Sequence, residues 1–549
     1  MENFKVAKRR LPRFTMFVAV VCLMAIPAPV MLIILYQDYT SFPLFNNPAD
    51  GSSNESVRIS NSTRLTEMLT DMFIETTKFD TKSCISKSES HKYRKPGPYN
   101  PSPYHISKLR KYEHLHRQCG PKTKSYKAAI KELGKFRNHG NFSIPCRYVV
   151  WTPSNGLGNR MLSLASTYLY GLLTDRVLLV DFTRDAMTNI FCEPFPNSTW
   201  LLPQDFQRIV HGDNYKERNE KIMTFQNLMQ SRSTLDENSE PSIVDVNLRF
   251  RRGEDNLEIF HCDQTQELLN GIPALILKSD QYFVPSLFMI SSFEKELSKL
   301  FPEKEAAFNL LGNYLFHPSN AAWEMITTFY QAYLAQADRR VGLQIRVFYP
   351  WKTPNQTIMD EILTCTWGNN LLPKVLPNNA TAEKTRSFPS TAVLAVSLHS
   401  IYGDSLKKMY GNYSDDSGQV IRVFQPSHEG RQKHNNQEHD IKAWVEMYLL
   451  SLCDVLVTSS GSTFGYVAQS LGGIKPWILD KVEVKNKKKK KIVNPTCRQA
   501  LSMEPCFHYP LKLGCRSNNT THNNITAVFP YIRPCEDFTW GVKLLSGIY

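Results

Sequence analysis

The stretch Arg147–Phe182, RYVVWTPSNGLGNRMLSLASTYLYGLLTDRVLLVDF, decides the fold. It opens with a short apolar run, Arg147–Thr152, and closes with a second, Arg176–Phe182; both read as buried strands. Between them lie a glycine loop, Pro153–Arg160, and a stripe of Met161, Leu162, Ala165, Tyr168, Leu169 and Leu172 at helical spacing. A strand, a loop, a helix and a strand in that order form the unit from which doubly wound parallel sheets are built.

Further along the chain the same logic returns. A helix over about 321–337 precedes the strand Val341–Phe348, followed by strands at Thr391–Leu398 and Gln419–Phe424. A helix over about Asp440–Cys453 presents Ile441, Trp444, Val445, Tyr448, Leu449 and Leu452 on one face. Strand Asp454–Thr458 then leads through Ser459–Ser462 into a helix at Thr463–Leu471. The expectation is an α/β fold with two Rossmann-like subdomains facing a cleft, and ligands bound beyond the strand C-termini. About 81–320 forms the first subdomain, about 321–480 the second, and 481–549 a cysteine-rich tail. Residues 81–145 read as a loop-rich lead-in with a helix near 123–137.

The N-terminus sets the compartment. Residues 1–13 carry Lys5, Lys8, Arg9, Arg10 and Arg13 against Glu2, and Phe14–Tyr36 contains no charged residue. At about 1.5 Å per residue that run reaches roughly 34 Å, the span of a bilayer core. With the basic flank cytosolic, 1–13 is a tail, 14–36 a single type II anchor, 37–80 a Ser/Asn/Thr-rich stem and the remainder lumenal. A cleaved signal peptide is the alternative, but the run is long for one and Tyr36-Gln37-Asp38 makes a poor cleavage site.

Sequons begin at Asn54, Asn61, Asn141, Asn197, Asn355, Asn379, Asn412, Asn518, Asn519 and Asn524, a density that suits a glycoprotein surface. Eleven of the 12 cysteines follow the anchor. Cys497, Cys506, Cys515 and Cys535 read as disulfides stapling the tail, with a zinc site disfavoured by the absence of a CxxC pair. The odd count leaves one thiol, and Cys453, inside an apolar helical pattern, is the expected one. A net charge of +14 would suggest nucleic acid elsewhere, but a lumenal domain meets none. Part of it is the run Lys487–Lys491.

Three constellations can carry chemistry. Ser459–Gly473, SSGSTFGYVAQSLGG, turns from a strand into a helix, and its amides, with Ser460, Ser462, Thr463, Phe464, Gly465 and Tyr466, suit a diphosphate at a helix N-terminus. An ordinary capped helix explains Ser462 or Thr463 equally well. Asn155–Arg160, NGLGNR, is a second glycine loop at such a junction; it lacks the GK[ST] ending of a P-loop and is not a full GxGxxG. There Gly156 and Gly158 leave room, while Asn159 and Arg160 reach toward an anion or a sugar hydroxyl. Gln344 and Arg346 lie near the end of the strand VGLQIRVF, where a guanidinium fork suits a phosphate; a structural salt bridge is the competing explanation.

Taken together, VGLQIR, NGLGNR followed by RVLLVDF, and STFGYVAQSLGG followed by KPWIL resemble the plant α-1,2-fucosyltransferase family that includes xyloglucan fucosyltransferase. YFVPSLF (282–288), FQPSHE (424–429) and KAWVEMYLLSL (442–452) fit the same family, and the resemblance covers roughly 80–549. It implies a GT-B fold, GDP-fucose as donor substrate, transfer to the 2-hydroxyl of a galactose with inversion, and no cofactor or metal. No Asp-x-Asp occurs in the chain, so charge on departing GDP falls to Arg346 and the amides around Ser462–Phe464. Asp280, after the apolar strand Ala274–Lys278, is the expected base or acceptor-orienting group, with Asp263, His428 and Glu429 as competitors. Tyr282, Phe283, Phe464 and Tyr466 could stack on guanine or sugar. Gly461 departs from the bulkier residue, often Trp, expected there in some relatives.

The resemblance also implies a Golgi membrane protein acting on a galactose-bearing cell-wall glycan. Xyloglucan leads, with arabinogalactan protein or pectic side chains as the enzyme alternative and an inactive glycan-binding homologue as the non-enzyme one. Other cell-wall glycosyltransferases, or a second copy of the chain, are the candidate protein partners.

Overall fold

The computed structural model describes residues 84–134, 146–183, 186–212, 222–231, 241–249, 256–348, 355–375, 390–411, 419–480, 497–509 and 525–547. The expected anchor, the stem and the lysine run lie outside them. Among the described residues no helix is long and apolar enough to cross a membrane.

Two sheets carry the fold. The first contains β1 (Arg147–Thr152), β2 (Arg176–Val180), β3 (Met223–Thr224), β4 (Ile243–Asn247) and β5 (Ala274–Lys278), ordered β2–β1–β5–β4–β3 and wholly parallel. The second contains β6 (Arg339–Gln344), β7 (Thr391–Val396), β8 (Ile421–Phe424), β9 (Val455–Ser459), β10 (Trp477–Leu479) and β11 (Cys497–Gln499), ordered β11–β10–β9–β6–β7–β8. Only the β10–β11 pair in it is antiparallel. Val149, Val150, Leu178 and Leu179 are buried, as continuous apolar strands in a parallel sheet covered on both faces require.

The lead-in is less loop-rich than expected. Pro103–Cys119 forms an unexpected helix, α1, while Lys124–Leu133 forms α2, inside the helix expected near 123–137. Ser102 caps α1 by accepting the His105 N–H at 3.0 Å, and Pro103 occupies the first turn, where no N–H is needed. Leu109, Tyr112 and His116 bury one face, although the helix is polar enough to hide that stripe.

Helix α3 (Leu157–Leu173) follows β1, and α4 (Ser291–Leu300) packs against α1. In the second half come α5 (Asn320–Phe329), α6 (Asn355–Gly368), α7 (Gln437–Ser451) and α8 (Thr463–Gly472). Helices α3, α7 and α8 lie between the sheets and contribute Leu164, Leu169, Trp444, Leu449 and Val467 to one core shared by both halves. Arg160 of α3 spans that layer. It is 4 % exposed and donates through Nη2 to both carboxylate oxygens of Asp440 on α7, at 2.8 and 2.9 Å. The anion expected to meet Arg160 is therefore a carboxylate of the protein itself.

Disulfides join Cys84 to Cys192, Cys119 to Cys146, Cys365 to Cys497 and Cys506 to Cys535. The tail cluster is thus only partly self-contained: Cys497 ties β11 back to α6, because the antiparallel β10–β11 pair carries it to that helix. Cys515 lies outside the described residues. Cys453 is free and buried, as expected.

Removing one partner of a buried ion pair strands the other charge. Arg160→Ala or Asp440→Ala should each lower unfolding stability by about 3–5 kcal/mol. The double replacement Arg160→Met with Asp440→Leu should recover most of that loss in chemical denaturation.

Candidate active site

The two glycine loops meet. Gly156 is the N-cap of α3 and Ser462 that of α8, so both helices begin at the C-terminal edges of their sheets. A Cβ on Gly158 would lie 2.8 Å from the carbonyl carbon and Oγ1 of Thr463 and 2.9 Å from the Phe464 nitrogen. Only a residue without a side chain lets the helix starts approach this closely. Across the contact, Thr463 Oγ1 donates to Asn159 Oδ1 at 3.0 Å. Among the described residues, the amides of Leu157, Gly158 and Asn159 on one side and Thr463 and Phe464 on the other have no acceptor. Two sets of orphan donors, each at the positive end of a helix dipole, share one seam.

Arg346 borders the seam. The sequence placed it on a strand ending at Phe348, whereas β6 ends at Gln344. Its ladder stops because the Arg346 N–H donates to Ser459 Oγ, at 2.9 Å, in place of a neighbouring strand. The guanidinium then donates to Gln432 Oε1 at 3.1 Å, and no carboxylate pairs with it among the described residues. Among the described residues no structural salt bridge explains it. Burial depresses its pKa from the ordinary arginine value, a penalty that a bound anion would relieve. Gln432 also covers the other loop, since its Nε2 lies 2.8 Å from where a Gly156 Cβ would be.

Asp280 completes the arrangement from β5. Its Oδ2 accepts from Asn155 Nδ2 at 2.7 Å, its Oδ1 from Gln281 Nε2 at 2.9 Å, and its carbonyl from Asn159 Nδ2 at 3.0 Å. Asn155 holds φ 64, a left-handed turn that asparagine tolerates. The carboxylate and the glycine loop are thus one hydrogen-bonded unit.

The competing acids are committed elsewhere. Asp263 accepts the N–H groups of Ser291 and Ser292, at 3.3 and 2.9 Å, at the start of α4. Burial would raise its pKa, but those donors hold it below the ordinary carboxylate value. Glu429 meets His439 at 2.6 Å and Lys442 at 3.0 Å, contacts that press its pKa down to about 2 and leave it a poor base. His428 lies on the same loop.

Several expected donor residues face inward. Gln344 is buried and its Oε1 accepts the Ser459 N–H at 3.3 Å, joining β6 to β9. Gly465 sits against that side chain, where an added Cβ would lie 3.1 Å from the Gln344 Oε1, so its role there is packing. Ser462 caps α8, accepting from the Gly465 N–H at 3.5 Å. Phe464 packs on the shared core. Ser460 Oγ donates to the Asp537 carbonyl at 2.9 Å, and the Tyr466 hydroxyl donates to Asp537 Oδ2 at 2.7 Å. Tyr282 and Phe283, expected to stack on a ligand, are core residues; the Tyr282 hydroxyl bonds to Glu504. Gly461 has φ 65 and its N–H meets Asp537 Oδ2 at 2.7 Å, a conformation in which the bulkier residue expected there would be strained.

Sequence reading missed Gln432 and Asp537. Gln432 lies in a polar loop without periodicity, and Asp537 reaches the donor loop across 76 residues, so neither carries a local signal. Cys506, Cys535 and Asp537 cluster within 4.8 Å, but the two sulfurs are bonded to each other and offer no metal thiolate.

The pattern of the family described as xyloglucan fucosyltransferase matches residues 45–516. The chain belongs to that family. It is accordingly an enzyme, a glycosyltransferase, as the motifs implied. A galactoside 2-α-L-fucosyltransferase of Pisum sativum is 45 % identical over 495 residues, covering 90 % of this chain and 84 % of the relative. One of Arabidopsis thaliana is 46 % identical over 470 residues, covering 85 % and 81 %. The structure of an Arabidopsis thaliana FUT1 mutant in complex with GDP aligns with TM-score 0.75 and 44 % identity, covering 86 % of this chain and 98 % of that one. Within this family the convergent amides and Arg346 constitute the candidate active site.

Because Gly158 sets the distance between the helix starts, Gly158→Ala must push them apart. GDP binding, followed by titration calorimetry, should weaken by at least about tenfold, or 1.4 kcal/mol, while circular dichroism shows an unchanged fold.

Proposed function

We propose that this enzyme transfers L-fucose from GDP-fucose to the 2-hydroxyl of a galactose on a cell-wall glycan, xyloglucan foremost, with inversion and without a metal. One observation carries the reading: two helix N-termini with amides unpaired among the described residues converge, where the sheets meet, with an arginine that has no carboxylate partner among those residues. The GDP held by the FUT1 relative supports GDP-fucose as the donor, and the relatives' names support the galactoside 2-hydroxyl. The two sheets, one parallel and one parallel but for the β10–β11 pair, with a seam between them fit a GT-B arrangement. The N-terminal sequence, read as a type II anchor, suits a Golgi membrane enzyme with its active site in the lumen.

In this mechanism Arg346 and the amides of α3 and α8 receive the diphosphate, displacing Gln432 from Arg346. The acceptor oxygen attacks fucose C1 from the face opposite GDP. As that C–O bond forms, the bond from C1 to the β-phosphate oxygen breaks, and GDP departs with the electron pair. The dipoles and Arg346 stabilise the charge developing on it. Asp280, held in orientation by Asn155 and Gln281, accepts the hydroxyl proton.

The purified protein, supplied with GDP-fucose, should fucosylate galactosylated xyloglucan, and EDTA should leave the rate unchanged. A large loss with the chelator would remove the metal-free mechanism. Transfer to arabinogalactan or pectic side chains alone would reassign the acceptor, and glycan binding without GDP release would favour the non-enzyme alternative. Arg346→Ala should lower kcat/KM by about 10²–10³, the usual cost of removing a charge-stabilising donor. Full activity in that variant would sink the donor-site assignment.

A further inference from the structure

The segment after Cys535 reaches back to the donor loop and holds it from both sides. Asp537 Oδ2 accepts two hydrogen bonds, from the Gly461 N–H and from the Tyr466 hydroxyl, each 2.7 Å long. Its carbonyl accepts Ser460 Oγ at 2.9 Å. Ser460 and Gly461 precede the N-cap of α8, and Tyr466 follows one turn later, so a single residue brackets the start of the helix. The Gly461 turn, at φ 65, points its N–H at this carboxylate. The orphan amides of Thr463 and Phe464 come next in the chain.

Asp537 is itself firmly placed. Cys535 is bonded to Cys506, its N–H donates to the Gly541 carbonyl at 3.0 Å, and the Gly541 N–H donates to the Phe538 carbonyl at 2.9 Å. Phe507 and Val542 exchange backbone hydrogen bonds of 2.8 and 2.9 Å. His508 stacks on Phe538 with ring centroids 4.3 Å apart and lies 3.2 Å from the Tyr466 hydroxyl. The carboxylate therefore has no freedom to follow the loop; the loop must follow it.

We propose that Asp537 is a positioning residue for the donor site, fixing the Ser460–Ser462 turn so that the first amides of α8 point at the diphosphate. The residue touches no substrate and acts through the loop it holds. Its own charge works against anion binding nearby, so what it contributes is orientation. This inference rests on the donor site argued above.

The test is calorimetric titration of the full chain with GDP, together with thermal unfolding. Asp537→Ala removes the one oxygen that accepts both hydrogen bonds and should raise the GDP dissociation constant about tenfold, with the binding stoichiometry near that of the wild type. Asp537→Asn keeps an oxygen able to accept both hydrogen bonds and discards the charge; it should bind GDP at least as tightly as the wild type. Tyr466→Phe, which deletes one hydroxyl, should fall between wild type and Asp537→Ala. A lowered stoichiometry or melting temperature in Asp537→Ala with an unchanged dissociation constant would make Asp537 a purely structural residue and overturn the inference. Equal loss in Asp537→Asn and Asp537→Ala would overturn it as well. Wild-type protein that bound no GDP would overturn the donor-site reading and this inference with it, whereas wild-type binding with indifferent variants overturns this inference alone.

Discussion

Everything at the centre of this molecule depends on the contact between Gly158 and the Thr463–Phe464 backbone. Two helices start there, each with about half a positive charge at its end. Like ends repel, so the approach needs compensation. Close packing of α3, α7 and α8 in one apolar layer supplies most of it. The Arg160–Asp440 pair adds a fixed crosslink and neutralises the guanidinium that would otherwise sit at the positive end of α3. Among the described residues Gln432 offers Arg346 only a neutral oxygen, while the carboxylates near the seam, Asp280 and Asp537, are held by other donors. A diphosphate bound there would exchange that neutral oxygen for a charged one, and beyond moving Gln432 the site would need little reorganisation.

The sequence made the scaffold legible because buried parallel strands are short apolar runs that need no partner to be recognised. β1 and β5 have the bounds expected of them and Ser462 caps α8 as read, whereas α3 begins at Leu157, inside the loop expected to run to Arg160. Arg346 and Asp280 drew notice because a charge beside an apolar strand stands out, and the structure places both beside the glycine loops. Long-range contacts were not legible. Arg160 and Tyr466 looked like ligand groups because their true partners, Asp440 and Asp537, lie far away in the chain. The α1 helix was hidden by polar residues whose buried face appears only once α4 is beside it.

The same distinction separates the donor side from the acceptor side. Phosphate recognition uses backbone amides and one guanidinium, and such features leave glycines and an isolated arginine in the sequence. Recognition of a glycan uses side chains on loops from several elements, and a single sequence gives no spacing rule for these. Asp280 is tied to the glycine loop through Asn155 and Asn159, so an acceptor held by it would meet the proposed donor site directly.

Cys453 offers a consequence of a different kind. It lies beside Gly342, where a methyl would come within 3.1 Å of its sulfur, and its thiol donates to the Leu449 carbonyl at 3.6 Å. Burial pushes the thiol well above its ordinary range, so almost no thiolate exists in the folded protein. In an oxidising compartment this spare sulfur is silent once β6 and α7 have closed over it. An alkylating reagent would reach this sulfur only when β6 and the chain after α7 part, so its modification would report opening of that part of the second sheet.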